Sequence, residues 1–437
     1  LSGAYEIHAL EQATHFDLST SKDHLKYTGQ ANLRLLLGDL AVVCVRGLLP
    51  EPMADRWLPI DEGVWGGLLE NLPLLRHETR EEVRAWQDAA LSDWQNKDIM
   101  KHSDGFLAEL AKFPRNTFHF LHVMLPHHPF RHLPSGRIYD EPAPPESPLD
   151  PAARRRLDQR IRHGHILQVA LTDKILGEFI AELKRLALYE ESLFIVVADH
   201  GISFDSKVHK RVVVPESFGA IGFVPLFIKY PNQKEGNVDL RNVQVIDIAP
   251  TVLDVLNAAG PLRMDGVSLV DPEARFPESK FVMNRADQVF RIVQEEYLAL
   301  RQLAFEDSIE FFDLTNPGSS LFYYGFDTRY LGSRAVELRD VEIACVIDCP
   351  DVRNFASVDL LSGRVPAVLT GSIEYSGHLR PEGLILGISV NGIVRGLTKP
   401  YDSAGQVRFY VTLSDDYLEQ GANEVQFHLL PDPKSAN

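Results

Sequence analysis

Ser192-Leu193-Phe194-Ile195-Val196-Val197-Ala198, followed at once by Asp199-His200-Gly201, is the stretch that decides the fold. The run has the length of a strand and its apolar side chains do not alternate with polar ones. A strand wet on one face alternates, whereas a strand covered on both faces stays apolar throughout. The polar triplet begins where the strand must stop. In an open α/β sheet, ligands gather beyond the carboxyl ends of the strands. Asp199 and His200 therefore stand where a site belongs.

Working outward, a second apolar run, Val224 to Tyr230, ends at Pro231. Asp247 to Ala259 reads as a helix with Pro250 in its first turn, where proline is tolerated. Upstream, Arg155 to Leu188 is the strongest helix, with Ile166, Val169, Ala170, Asp173, Leu176, Gly177, Ile180 and Leu183 on neighbouring turns. Before it, Thr117 to Leu125 is strand-like and stops at Pro126. Residues 126 to 151 then form a proline-rich loop that carries His127, His128 and His132. Loops of that length in a compact domain are usually functional. Phe106, Leu107, Leu110 and Phe113 make a short helical stripe ended by Pro114, and Leu33 to Val45 and Glu81 to Trp94 also read as helices.

Strand, helix, strand, strand, helix predicts an α/β fold, a mainly parallel sheet covered by helices. We assign it to residues 1–275, with the informative motifs in 115–260, and residues 276–335 to a connecting region. From about Val336 the texture changes to short alternating runs: Val341 to Ile347, Val368 to Tyr375, Leu384 to Val390, Val407 to Leu413 and Glu424 to Leu430. Turns such as Asn391-Gly392 separate them. Residues 336–432 read as a smaller all-β domain, a sandwich.

Composition narrows the function. The 437 residues carry 44 Lys plus Arg against 61 Asp plus Glu, a net charge of −17. Nucleic acid is not an expected partner, because a duplex binder shows a basic surplus. An anionic substrate is still compatible, because a bound cation reverses the local field. No run reaches the ~18 apolar residues that span a bilayer. Three cysteines, Cys44, Cys345 and Cys349, are too few for a disulfide framework. Cys345 and Cys349 could bridge each other or be buried as small apolar groups.

The chemistry-bearing residues fall past strand ends: His127 and His128 after one, Asp199 and His200 after another. Carboxylate and imidazole together suit a divalent cation such as Zn or Mn, which can polarise an anionic ester as a Lewis acid. Read alone, Asp-His-Gly is equally a turn, with Asp capping the next segment and Gly taking positive φ. The run Arg154-Arg155-Arg156 reads as a solvated face. Trp57, Trp65, Trp86 and Trp94 read as core or interface anchors, and Tyr323, Tyr324 and Phe326 as packing between domains.

Four elements in order resemble one family. Ile195 to Gly201 is similar to the strand-then-D-H-G signature of the sulfatase-like branch of the alkaline phosphatase superfamily. Phe120 to Phe130 resembles its strand-then-P-H-x-P-aromatic element. Val224 to Pro231 resembles its V-P-L strand, and Asp247 to Leu253 its D-I-x-P-T-[VL]-L helix. The first hundred residues and the β domain also resemble parts of large membrane-anchored bacterial sulfatase-like proteins.

The resemblance implies roles. Asp199 and His200 match the pair that ligates one divalent metal ion, Ca, Mn or Zn. His127 matches the histidine that contacts the sulfate or phosphate of an anionic ester substrate, and His128 falls at the variable position. His209, Lys210 or Arg211 matches the basic group that helps hold the anion. The family's nucleophile lies in C/S-x-P-x-R in sulfatases, or is Thr or Ser in phosphoryl-transfer relatives, after a strand with metal-binding acids. No C/S-x-P-x-R occurs in the chain, and no apolar strand ending in Asp precedes residue 30.

The expectation is thus a metal-dependent hydrolase of sulfuric esters whose chain begins downstream of its nucleophile element. As it stands it would be inactive, and the sheet would lack a strand. The parent protein would be membrane-anchored with this domain extracytoplasmic. The alternatives are a transferase of phosphoethanolamine or glycerophosphate groups, or a non-catalytic relative that binds glycans or a partner.

Overall fold

The computed structural model describes residues 6–11, 99–112, 117–140, 151–204, 213–258, 264–283, 289–309, 321–323, 328–339, 341, 345–375, 383–403 and 405–432. The expected helices at 33–45 and 81–94, the four tryptophans, Cys44, Tyr324 and Phe326 lie outside these residues. The chain divides into two compact units: residues 1–125 with 175–190, and residues 126–174 with 191–437.

In the first unit, β1 (Glu6–Glu11) pairs in parallel with β2 (Thr117–His122), in register Glu6↔Thr117 to Glu11↔His122. A strand therefore occupies part of the segment whose sequence reads as mainly helical. Helix α1 (Ile99–Leu110) buries Phe106 and Leu110, as their four-residue spacing predicts. The Phe106 ring meets His119 at 6.0 Å and Phe179 at 5.7 Å, both edge to face. Such pairs add to the burial of their area.

Helix α2 (Pro151–Arg185) contributes to both units. Pro151 suits its first position, where the N–H would have no partner, and Lys184 and Arg185 complement the dipole in its last turn. The helix stops at Ala187, in the left-handed region at φ 56°, while the Leu188 N–H bonds back to the Leu183 carbonyl at 2.9 Å. Its buried stripe is His163, Leu167, Leu171, Ile175, Phe179 and Leu183, one residue every four. The stripe read from sequence differs. Val169, Asp173 and Gly177 are exposed, because a helix rich in aliphatics offers two adjacent faces with similar periodicity.

In the second unit, β3 (Phe194–Val197) and β4 (Leu226–Lys229) coincide with the two apolar runs but pair antiparallel, Phe194↔Lys229 to Val197↔Leu226. The mainly parallel sheet expected from sequence is seen among the described residues only in the β1–β2 pair. Apolar continuity reports burial and carries no information on strand direction. Nor is this pair covered throughout, since Val197 and Phe227 are exposed. Short helix α3 (Phe218–Gly222) follows the site loop. Helix α4 (Ile248–Val255) falls within the helix expected at 247–259.

Residues read as a connecting region hold a hairpin, β5 (Ser279–Met283) with β6 (Val289–Val293), and helix α5 (Gln294–Ile309). Ile292 and Tyr297 of this region share a small core with Val213, Phe218 and Ile221.

The C-terminal strands are β7 (Cys345–Asp348), β8 (Val368–Tyr375), β9 (Leu384–Val390), β10 (Ile393–Thr398), β11 (Tyr401–Ser403), β12 (Gln406–Thr412) and β13 (Val425–Pro431). They form two antiparallel sheets, β10-β9-β13 and β11-β12-β8-β7. Leu386, Ile388 and Leu429 of one sheet share a core with Leu369, Ile373, Phe409 and Val411 of the other. Asn391 and Gly392 take φ 52° and 79° and join β9 to β10 through a two-residue turn with Val390 opposite Ile393. Positive φ at both central residues is what the tightest hairpins require.

That core does not end at the sandwich. Leu133, Tyr139 and Leu167 belong to it. The 131–140 segment also bonds to the sandwich loops, from Ile138 N–H to the Gly363 carbonyl at 2.8 Å and from Val365 N–H to the Ile138 carbonyl at 2.9 Å. Cys345 and Cys349 are free thiols, and burial pushes that of Cys349 up to about 11.

Candidate functional site

Asp199 and His200 lie two and three residues beyond the end of β3. The Asp199 Oδ1 accepts from the His200 N–H at 2.8 Å. His200 Nδ1–H donates to the Gly201 carbonyl at 2.8 Å. That bond fixes the tautomer and leaves the Nε2 lone pair available. Nε2 stands 3.5 Å from Asp199 Oδ2, and the Asp199 side chain is 75% exposed.

Gly201 is needed for a different reason from the one its sequence context suggests. Its φ is not in the left-handed region. Instead a Cβ there would fall 2.1 Å from the Ala220 carbonyl oxygen, just before the end of α3. The Gly201 N–H donates to the Ile221 carbonyl at 2.8 Å in the same place. The glycine lets the site loop lie directly on the α3 backbone.

The His127 loop is held by a residue that the sequence reading passed over. Gln168 on α2 is fully buried. Its Nε2 donates to the His127 carbonyl at 2.8 Å. Its Oε1 accepts from the Arg131 N–H at 3.1 Å, the His132 N–H at 3.3 Å and His132 Nδ1 at 3.0 Å. One amide thus satisfies four polar groups of the loop, the two of His132 buried and the others half-buried. Its sequence context, one glutamine among the many polar residues of a long helix, carries no signal of that duty. The His127 ring also donates through Nδ1 to the His128 carbonyl.

Aromatic rings join the two loops. Phe130 packs against His128 at 5.3 Å, His165 at 5.4 Å and Phe204 at 6.3 Å, and His165 meets Phe204 at 5.2 Å. Phe204 lies four residues after His200, so the P-H-H-P-F loop and the D-H-G loop share one small cluster. Gly164 makes room for it, since a Cβ there would stand 2.8 Å from the Phe130 Cβ. Burial, with Arg162 adding, pushes His165 down to about 4. His163, on the same helix, is also pushed down to about 4 by burial, against the bond it donates to the Leu321 carbonyl at 2.5 Å.

The D-I-x-P-T element has a structural duty. Asp247 is buried and accepts from the Gln244 N–H at 2.8 Å and the Val267 N–H at 2.9 Å. Thr251 donates to the Asp247 carbonyl at 2.6 Å and accepts from the Leu269 N–H at 2.9 Å. The pair staples residues 267–269 to the start of α4.

His209, Lys210 and Arg211 lie outside the described residues. Among the described residues no group of three or more His, Cys, Asp or Glu is placed to hold a metal. Asp199 and His200 fit two ligands of one cation: bonds of 2.0–2.2 Å in tetrahedral geometry put neighbouring donors about 3.4 Å apart. The histidines of the 127–132 loop are not gathered with them into one ligand cluster. Nor is any described helix long and apolar enough to cross a membrane.

Residues 76–258 match the Sulfatase family. The chain is 27% identical over 168 residues to the lipoteichoic acid synthase of Staphylococcus saprophyticus, covering 37% of this chain and 23% of that protein. It is 30% identical over 112 residues to arylsulfatase K of Canis lupus familiaris, covering 26% and 21%. It is 24% identical over 239 residues to the ulvan-active sulfatase of Formosa agariphila, covering 52% and 45%. These matches span less than half the length of each relative. The matched segment includes the P-H-H-P-F, D-H-G, V-P-L and D-I-x-P-T elements, and it supports the likeness of residues 76–258 to the sulfatase-like branch of the alkaline phosphatase superfamily.

Proposed function

We propose that the chain carries part of the site of a metal-dependent hydrolase of sulfuric esters. Asp199 and His200 supply two ligands to one divalent ion, Ca, Mn or Zn, and when bound the ion would polarise the ester's anionic group. His127 contacts that group, and His209, Lys210 or Arg211 adds positive charge to it. Sulfatases generally depend on a metal and act on sulfate esters. The observation that carries the reading is the Asp199–His200 pair, with Nε2 3.5 Å from the carboxylate and Nδ1 bonded to the Gly201 carbonyl.

The residues of this chain do three things in that scheme. His200 Nδ1–H is held by the Gly201 carbonyl, so Nε2 is the ring nitrogen that would meet the ion. Gln168 sets the backbone of His127. The Phe130, His165 and Phe204 rings exclude water from behind both loops. No residue matches the sulfatase nucleophile pattern, so turnover by this chain alone is expected to be absent or very slow.

A second reading, transfer of a phospho-alcohol group, is favoured by the likeness to lipoteichoic acid synthase. The same two ligands serve either chemistry. A membrane-anchored, extracytoplasmic parent accords with that likeness.

Metal content tests the ligand pair without needing turnover. The purified chain, stripped and then equilibrated with Zn, Mn or Ca, is expected to retain metal. Asp199→Ala is expected to retain about tenfold less at the same free concentration. Equal retention by the two removes the assignment.

A further inference from the structure

A cleft of about 440 Å³ lies between the first half of α2 and the sheet β11-β12-β8-β7, within the second unit. Its volume falls in the range of sites that enclose small organic ligands, about 300–1,000 Å³. It contains none of Asp199, His200 and His127.

The wall from α2 presents Arg156 and Arg160, and the floor presents Arg408, Tyr401 and Tyr410. The Arg156 guanidinium lies over the Tyr401 ring at 6.0 Å, and that of Arg160 over the Tyr410 ring at 5.3 Å. Stacking holds a guanidinium flat, so its N–H edge keeps a fixed direction. Burial works against the charge of Arg156, the largest influence on it, with Tyr401 opposing and Arg155 adding. An anionic partner would offset that cost. Lys399 also lines the cleft but is bound to buried Asp432 at 2.5 Å. Asp348 is the one acidic side chain in the lining among the described residues. Three arginines against one aspartate, in a chain of net charge −17, is a local reversal of sign.

The rest of the lining is suited to hydroxyl groups. Gln159, Ser372, Gln406 and Thr412 bring amides and hydroxyls to the same space, where Gln159 Oε1 accepts from Arg156 Nη1 at 3.1 Å, Gln406 Oε1 from Arg408 Nη2 at 3.0 Å, and Thr412 bonds to the Tyr410 hydroxyl at 2.7 Å. A lone oxyanion would leave most of the volume unfilled. A long polyanion would meet the repulsion of the whole acidic molecule.

We propose that this cleft binds a short acidic oligosaccharide through Arg156 and Arg160, with its oxyanion in the two guanidinium forks and its hydroxyls against the sheet. Sulfate esters and uronate carboxylates both offer the paired oxygens that a guanidinium takes. The proposal does not depend on the roles of Asp199 and His200.

Calorimetric titration of the whole chain tests it, with four probes. These are a dextran sulfate oligosaccharide, an oligogalacturonate, neutral dextran of the same length, and a single-stranded oligonucleotide. At least one acidic sugar is expected to bind about tenfold or more tightly than neutral dextran, the worth of one charge-assisted bond. Which of the two binds identifies the sulfate or the carboxylate as the recognised group. Arg156→Gln with Arg160→Gln is expected to abolish the difference. Ser372→Phe, which fills the cleft from the sheet side and leaves Arg156 and Arg160 in place, is expected to do the same, and keeps the test available if the double variant folds poorly. Asp199→Ala is expected to leave it unchanged. Equal binding of acidic and neutral sugars, full retention in Ser372→Phe, or preference for the oligonucleotide overturns the proposal.

Discussion

Arg137 and Asp415, 278 positions apart in the chain, share a bond of 2.6 Å from Nη1 to Oδ2. The Asp415 side chain is 2% exposed, so Arg137 rather than water is its partner. The Arg137 Nε also donates to the Leu360 carbonyl at 3.3 Å. The sandwich and the loop downstream of His127 are therefore fastened by this ion pair, by a more exposed one between Arg364 and Asp140, and by a shared core.

Removing one partner strands a buried charge, which costs about 3–5 kcal/mol. Arg137→Met is expected to lower stability to urea by that order. The double variant Arg137→Met with Asp415→Leu is expected to recover most of it, because two apolar groups replace the pair without stranding either. Denaturation midpoints of the single and double variants measure the coupling. Additive losses would show that the pair is not energetically linked.

Gln168→Leu keeps the approximate volume on α2 and removes the amide. Four loop groups lose their common partner, and each buried group left unmade costs about 1–3 kcal/mol. The losses overlap, so about 3 kcal/mol in total is expected. Faster amide exchange at Arg131 and His132 should accompany it. An unchanged midpoint with unchanged exchange at those two amides would dismiss Gln168 as the anchor of the His127 loop.

Gly201→Ala forces a methyl group toward the Ala220 carbonyl, where only 2.1 Å is available. Backbone must move, at a cost of about 1–3 kcal/mol. Thermal unfolding should fall, and metal retention should fall with it, because Asp199 and His200 share the displaced loop. A variant that melts like the parent would mean the loop can relax freely.

Stability should also depend on acid. His163 and His165 are both pushed down to about 4 by burial, from an ordinary value near 6.5. The unfolded chain therefore binds protons between pH 6.5 and 4 that the folded chain does not. The stabilisation is complete above pH 6.5 and declines as pH falls to about 4, by about 3 kcal/mol for each histidine. His163→Gln, whose amide can still donate to the Leu321 carbonyl, should flatten the profile in that window. The same slope in the variant would assign the effect to other groups.

The sequence reveals positions more readily than directions. The runs at 192–198 and 224–230 are strands, and β8 and β9 begin and end where alternation does. Antiparallel pairing of β3 with β4 was not legible, because an apolar run looks the same in either direction. The hairpin β5–β6 and α5 escaped because their apolar residues are split between a small local core and exposed positions such as Phe281 and Val289. At the site, Asp199 and His200 were legible as polar residues at a strand end, and the structure places their donor atoms 3.5 Å apart. Gln168 was not, since its importance comes from a loop nearly forty residues away. Arg156, read as part of a solvated face, lines a cleft instead. A charge run looks the same in sequence whether or not a sheet packs over it.

The staple formed by Asp247 and Thr251 bears on how kinship is judged. Both side chains are spent on backbone amides of 244, 267 and 269, so mutation there is punished by misfolding whatever the protein does for a living. A descendant that had given up chemistry would still display D-I-x-P-T. Asp199, three-quarters open to solvent and braced among the described residues only within its own loop, has no such duty, so under the proposed ligand role its loss would be the change that marks the end of metal binding.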